Sequence, residues 1–402
     1  YKITIQYANT TQISGGASES GGKAGSEIVD NVTIEAPNIY AGVGLANNIV
    51  SKSFSMSHAK LIVFSKEIAE KGVKDMIETL VRSEEIRPDV FIAVANTTAN
   101  DYLTSVNPEM EVNPAQYYQL IYQKNQLVGI PDGQLREFFT GLYTDNYDSI
   151  LPVAGVIEGA GGNSQNDDKG QSKDSQNEGS EGSSESLDSF ESKNSDENEK
   201  EKDAEKNTSK YEYDIKNYVG GETAIEKKNK AEAIGAAVFE KDKMVGELGE
   251  VETEICKMLK GDYTYSYLTY YNNDTPDIPI TVKTTQQKKP KYKIDTDKKT
   301  VDIELYIESD LYSLPADYNV ENKIEDFERD VANYTSSACT EFINNFTKKY
   351  NSDILKLNEK VKYKFLTNNQ YNWFKKNVGW SEYKFSVCTN FKVRRTGLIV
   401  RE

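Results

Sequence analysis

The chain has 402 residues, a formal net charge of −16 and a single histidine. Its length allows two or three domains. Its acidic balance excludes a nucleic-acid binder, which needs a basic footprint to displace counterions, and disfavours adsorption to anionic lipid headgroups.

Cys256, Cys339 and Cys388 stand at long spacings with no CxxC pair, which excludes a disulfide framework or zinc ribbon; they read as buried or half-buried thiols. No apolar run is long enough to span a bilayer. Twenty-six tyrosines suggest amphipathic sheets whose outer faces carry ring edges and hydroxyls.

The chain opens inside a strand, "YKITIQYA" (1–8), and a second follows at "NVTIEA" (31–36). Without an initiator Met it is expected to be a processed product or a trimmed chain, with any targeting segment or anchor upstream. Between the two strands, "SGGASESGGKAGSE" (14–27) reads as a mobile loop. "HAKLIVFS" (58–65) is a short strand-like run. In "KEIAEKGVKDMIETLVR" the apolar residues Ile68, Ala69, Val73, Met76, Ile77 and Leu80 recur at helical spacing, and Gly72 breaks the run into two helices. "VFIAVAN" (90–96) reads as a buried strand and "TANDYLTSV" (98–106) as a short helix. A helix opens at "NPAQYYQLIYQKNQ", with Asn113 as cap and Pro114 at its first position. Another follows at "DGQLREFFTGLY" (132–143), and "ILPVAGVIEG" returns to strand. This alternation implies a mixed α/β layer.

Residues 159–210 lose nearly all aliphatics and are rich in Ser, Asn, Gly, Glu and Lys. Such a segment buries too little apolar surface to offset its ordering entropy and reads as a disordered acidic linker. It separates an N-terminal α/β domain (1–158) from a middle domain (211–272, hairpin plus helix) and a C-terminal α+β domain (273–402). In the last, "YTYSYLTYY", "DIPITVKTTQQ" and "KPKYKIDTDKKTVDIELYIE" are strands and hairpins. A long amphipathic helix over 319–350 follows, with Ile324, Phe327, Val331, Tyr334, Ala338, Phe342 and Phe346 on its apolar stripe. "YNWFKKNVGW" is a shorter helix and "EYKFSVCTNFKVRRTGLIV" a long strand. The fold class is therefore α+β or mixed α/β in three domains, with mixed and antiparallel sheets, the C-terminal one read as antiparallel, and helices packed on one face.

Four stretches could carry chemistry. In "AAVFEKDKMVGELGEVETEICKML" (236–259), Gly246 and Gly249 lie close together, but no lysine follows and Glu247, Glu250 and Glu252 would repel a phosphate. Leu248, Val251, Ile255 and Met258 mark one helical face there; Glu247, Glu250 and Glu254 are placed beside it on the solvent side, where acids complement the helix dipole. His58 has no orienting partner in sequence. The run Asp295 to Glu304 lacks the sixth-position glycine of a calcium loop and has Tyr306 at the twelfth, so it reads as a hairpin turn. "RSEEIRPD" (82–89) reads as an ion-pair network closing a helix, with an anion site or partner contact as the alternative. No catalytic, cofactor-binding, metal or disulfide residues are assigned, and no cofactor is expected.

"HAKLIVFSKEIAEKGVKDMIETLVRSEEIRPDVFIAVAN", "GAAVFEKDKMVGEL", "SDILKL" and "RRTGLI" occur in this order. Together they resemble the C-subunit lipoproteins of spore nutrient-germinant receptors, over nearly the whole chain outside the low-complexity segment. The resemblance implies a three-domain α/β assembly without a catalytic site. It also implies a lipid anchor on an upstream cysteine, at the outer surface of the spore inner membrane. The implied partners are two integral membrane subunits, one channel-like and one transporter-like. A lipid-anchored solute- or wall-fragment-binding protein is the alternative, with tyrosines stacking on sugars; a carboxylate hydrolase using Glu247, Glu250 and Glu254 is the third reading. Small-molecule binding stays open.

Overall fold

A computed structural model describes residues 1–8, 29–50, 53–107, 111, 113–123, 129–144, 146–157, 217–223, 229–272, 275–314, 323–350 and 352–396. The loop read at 14–27 and the linker at 159–210 lie outside them.

Two strands, β1 (Lys2–Ala8) and β2 (Val29–Glu35), pair antiparallel with Lys2 opposite Glu35. Helix α1 (Ile39–Ala46) follows, with the Asn38 side chain accepting the Ala41 N–H as its cap. His58 ends a 3₁₀ turn (Met56–His58) just before β3 (Leu61–Ser65). Then come α2 (Lys66–Lys71) and α3 (Lys74–Val81), broken where read: Gly72 takes φ +121 between them, a backbone that side chains rarely tolerate.

Strand β4 (Phe91–Ala95) leads to α4 (Ala99–Ser105), α5 (Pro114–Gln123), α6 (Leu135–Thr144) and β5 (Ile150–Val156). The α5 cap is as read, with the Asn113 side chain accepting the Ala115 N–H at 3.0 Å. β6 (Ala231–Glu240) and β7 (Lys243–Leu248) form the next hairpin. It completes a five-stranded sheet in the order β3-β4-β5-β6-β7, parallel from β3 to β5 and antiparallel thereafter. The hairpin that the sequence placed at the head of a middle domain is thus hydrogen-bonded to the last N-terminal strand.

The alanines of β6 have a physical reason. Ala237 and Phe239 pack into one core with Ile92, Val94 and Phe138, whereas Ala236 and Val238 pack into another with Leu248, Leu259 and Phe346. Both faces are covered, and alternate side chains serve different cores. A third core, under Ala93 and Ala95, holds Tyr102, Tyr118 and Tyr122. The Tyr102 and Tyr122 hydroxyls bond at 3.0 Å and Tyr118 donates to Gln6 Oε1 at 2.5 Å, so β1 is tied to α5. Many tyrosines are therefore core residues with satisfied hydroxyls, contrary to the outer-face reading; Tyr267 and Tyr312 are an exposed pair.

The second five-stranded sheet comprises β8 (Tyr265–Asn272), β9 (Thr275–Thr285), β10 (Lys291–Asp295), β11 (Thr300–Ser313) and β12 (Lys384–Arg395). It is mixed: β12 runs parallel to β11, with Thr300 opposite Lys384. This corrects the all-antiparallel reading. A long helix, α8 (Ile324–Lys349), lies between β11 and β12 in sequence, and a helical crossover returns the chain in the same direction. The buried stripe of α8 is also rotated from the one read: Thr335, Cys339 and Ile343 are buried, while Tyr334 and Ala338 are half-buried.

The rotation places polar side chains of α8 against the free edge of β12. Ser336 Oγ accepts the Thr389 N–H at 2.9 Å, Thr340 Oγ1 that of Val387 at 3.0 Å, and Asn344 Oδ1 that of Phe385 at 3.1 Å. Glu328 Oε1 accepts from Val393 at 2.9 Å. An open edge would offer these donors to another chain; here one helix satisfies four of them.

Candidate functional site

Between the hairpin and α8 lies α7 (Glu250–Lys260). The Glu252 carboxylate accepts the Gly249 N–H at 3.0 Å and Asn217 Oδ1 accepts the Val251 N–H at 3.0 Å. Gly249 has no side chain to cap the helix, so Asn217, distant in sequence, supplies the acceptor. No local signal could have revealed it.

The glutamates are not a solvent-side set. Glu247 pairs with Lys66 at 2.9 Å. Burial raises the Glu250 carboxyl, with Glu232 adding to the rise. Burial pushes Glu254 up to about 7 against a hydrogen bond from Ser266 Oγ at 2.6 Å. The buried residues of α7 are Thr253, Cys256, Lys257, Met258 and Leu259, and Val251 and Ile255 are half-buried. Gly246 is a packing glycine: a Cβ there would stand 2.3 Å from Tyr350 Oη.

Beside this start of α7, an open groove of about 320 Å³ runs between α7 and α8. Ile255, Phe342 and Phe346 give it an apolar floor; Glu247, Glu252 and Glu341 give it an acidic rim. Glu247 and Glu252 are already held by Lys66 and the α7 start. Among the residues lining it the groove offers no nucleophile with a base beside it.

The hairpin turn Glu240 to Lys243 leaves Lys241 and Lys243 exposed while its backbone is held by the fold. The Lys241 N–H donates to Asp148 Oδ1 at 2.8 Å and the Asp242 carbonyl accepts the Val73 N–H at 2.9 Å. The "SDILKL" run meets the same place. Ser352 Oγ donates to the Phe239 carbonyl at 2.8 Å, and the Asp353 carboxylate accepts the Leu357 and Asn358 N–H groups, both at 2.8 Å, at the start of α9 (Leu357–Val361). Burial pushes Asp353 up to about 7; those two bonds oppose the rise and Asp148 adds to it. A strongly perturbed carboxylate suggests chemistry, but Asp353 is buried and both its oxygens are occupied.

The remaining stretches resolve simply. His58 is exposed, and among the described residues no carboxylate hydrogen bond orients it. Asp295 Oδ1 accepts the Asp297 and Lys298 N–H groups at 3.1 and 2.9 Å, the hairpin turn that was read. The "RSEEIRPD" network is not formed among the described residues: Arg82 reaches Glu78 at 3.6 Å, while Glu85 accepts the Met56 N–H at 3.0 Å. Cys256 and Cys339 are buried, Cys388 is exposed, and all three are free. Among the described residues there is no cluster able to hold a metal ion, and no helix long and apolar enough to cross a membrane.

Comparison with known proteins adds the following. Residues 1–156 match the family described as spore germination protein N-terminal domain, and residues 234–397 match spore germination B3/GerAC like, C-terminal. The spore germination protein GerQC of Bacillus cereus is 27% identical over 104 residues, 26% of this chain and 29% of the relative, so the matching part spans under a third of that protein's length. The crystal structure of the GerBC protein shares the fold with a TM-score of 0.54 at 13% identity, over 98% of this chain and 94% of that one.

Proposed function

We propose that this chain, which belongs to the C-subunit family of spore germinant receptors, is a non-enzymatic receptor subunit. It works beside two integral membrane subunits, one channel-like and one transporter-like, at the outer surface of the spore inner membrane, held there by a lipid on an upstream cysteine. The observation that carries this reading is the order of the two germination-family matches, at 1–156 and 234–397. The chemistry is consistent with it: the two carboxyls pushed to about 7 are both engaged by protein donors.

Deletion of the gene is expected to abolish the response of spores to at least one nutrient, and the tagged chain to co-purify with both membrane subunits. Unchanged germination with every nutrient tried would remove the reading. A second reading, capture of a small solute or wall fragment, is favoured by the groove between α7 and α8. Calorimetry of the isolated chain against amino acids and muropeptides separates the two, because only the second requires heat of binding.

A further inference from the structure

Three large apolar side chains stand out of one short stretch: Tyr363 is 78% exposed, Leu366 95% and Trp373 68%. Leu366 precedes Thr367, whose side chain caps α10 (Asn368–Asn377) by accepting the Gln370 N–H. Trp373 and Lys376, three residues apart, share one face of α10, with Leu366 exposed just before its cap, while Tyr371 and Phe374 turn inward. An aromatic layer fixes that inner face, with Phe365 against Phe374 at 4.9 Å and Phe374 against Trp380 at 6.0 Å. The outward residues are therefore held out by a rigid support.

The charge of this stretch opposes that of the chain. Residues 360–381 contain five lysines and no Asp or Glu. Among the described residues none of the five has a carboxylate within ion-pair distance; Lys364 and Lys375 donate to the carbonyls of Ile294 and Thr144, and Lys362 and Lys376 are exposed. Glu359 and Glu382 border the stretch, and Asp353 and Asp295 act on Lys360 and Lys364; the exposed Lys362 and Lys376 carry the positive charge that the patch presents outward.

We propose that residues 360–376 form a docking patch for an anionic bilayer surface, in which Leu366 and Trp373 enter the interface and Lys362 and Lys376 meet headgroup phosphates. Tryptophan rings suit the headgroup level, and lysine stems lie along apolar surface with the charge in water. Single side chains protruding from a helix suit a deformable surface better than a protein, which would need matching pockets. The objection from net acidity concerns the chain average, not this face. The biological setting rests on the receptor reading; the physical claim does not.

The test adds vesicles to the full chain and follows tryptophan emission and flotation. Vesicles of equal parts phosphatidylglycerol and phosphatidylcholine are expected to blue-shift Trp373 and float the chain; phosphatidylcholine alone is not. Lys362→Gln with Lys376→Gln should weaken partitioning by about fivefold per lysine. Leu366→Ser with Trp373→Ser should abolish flotation at unchanged melting temperature. Failure of the anionic vesicles, or flotation undiminished in the Leu366→Ser/Trp373→Ser variant, overturns the patch. If crosslinking instead joins α10 to residues 159–210 while vesicles are ignored, the chain's own acidic stretch is the occupant and the proposal falls. Vesicle failure with intact co-purification leaves the receptor reading standing.

Discussion

Asp148 and Asp353, 205 residues apart, bond to each other twice: Asp148 Oδ2 accepts the Asp353 N–H at 2.9 Å and the Asp353 carbonyl accepts the Asp148 N–H at 3.2 Å. The other oxygen of Asp148 holds the hairpin turn through Lys241, and the carboxylate of Asp353 holds the start of α9. One pair of acids thus fastens the approach to β5, the β6–β7 turn and the "SDILKL" run together.

Asp148→Ala removes the acceptor of two backbone donors. Leaving such donors unsatisfied costs about 1–3 kcal/mol each where water is excluded, so a loss of about 2 kcal/mol is expected. Urea unfolding measures it as a lower midpoint at unchanged slope. Asp148→Asn keeps one acceptor and should recover part of the loss. A wild-type midpoint in Asp148→Ala would mean that the fastening does not contribute.

The two carboxyls at about 7 predict a pH dependence. Burial raises Asp353 and Glu254 from the ordinary carboxylate range to about 7. Between about pH 4 and 7 the folded chain keeps protons that the unfolded chain has released. Their contribution is full below the unfolded value and is lost as pH rises through 7. The unfolding free energy of wild type, relative to Asp353→Asn with Glu254→Gln, should therefore fall across that window and level off above it. A flat difference from pH 4 to 8 would count against both shifts.

Much of the fold could be read because its signals were local. The break at Gly72, the Asn113 cap and the β6–β7 hairpin each depend on a few adjacent residues. Partner and direction of a strand are not local. β12 shows its alternation plainly, with Phe385, Val387, Thr389 and Phe391 buried, but its parallel pairing could be inferred only from the strand–helix–strand order of β11, α8 and β12. Glu254 looked solvated because its helical position places it beside the apolar face; Ser266, on a strand twelve residues later, encloses it. Ser336, Thr340 and Asn344 stand off the apolar stripe read for α8, and spacing cannot tell water from a strand edge.

That edge gives a third prediction. Asn344 accepts the Phe385 N–H at 3.1 Å and donates to the Phe385 carbonyl at 3.0 Å. Asn344→Ala should cost about 1–2 kcal/mol. Combined with Thr340→Val it should also raise concentration-dependent association, because N–H groups of β12 would then face another chain. Light scattering across a concentration series reads the second effect; a monodisperse double variant of normal stability would refute the edge-covering role.

Gly246 separates packing from ligand binding. A Cβ there would come within 2.3–2.5 Å of the Tyr350 ring and hydroxyl, so Gly246→Ala should destabilise by about 1–3 kcal/mol through overpacking. Adding Tyr350→Ala makes room, and the double variant should lose less than the two single losses together. Strict additivity would show that the two residues do not meet.

The thiols provide a reading of the cores. Cys256 lies in α7 and Cys339 on the buried stripe of α8, in the same core, and burial pushes both thiols up to about 12. A thiol at that value is almost wholly protonated near neutrality, and the thiolate is the reactive form. Cys388 stands exposed on β12. A thiol reagent should therefore label one cysteine rapidly in the folded chain and all three in denaturant. The slow pair should react at the rate of unfolding, and destabilisation by Asn344→Ala should speed Cys339 with it. Rapid labelling of Cys256 or Cys339 in the native chain would mean that the core between α7, α8 and the second sheet opens without unfolding.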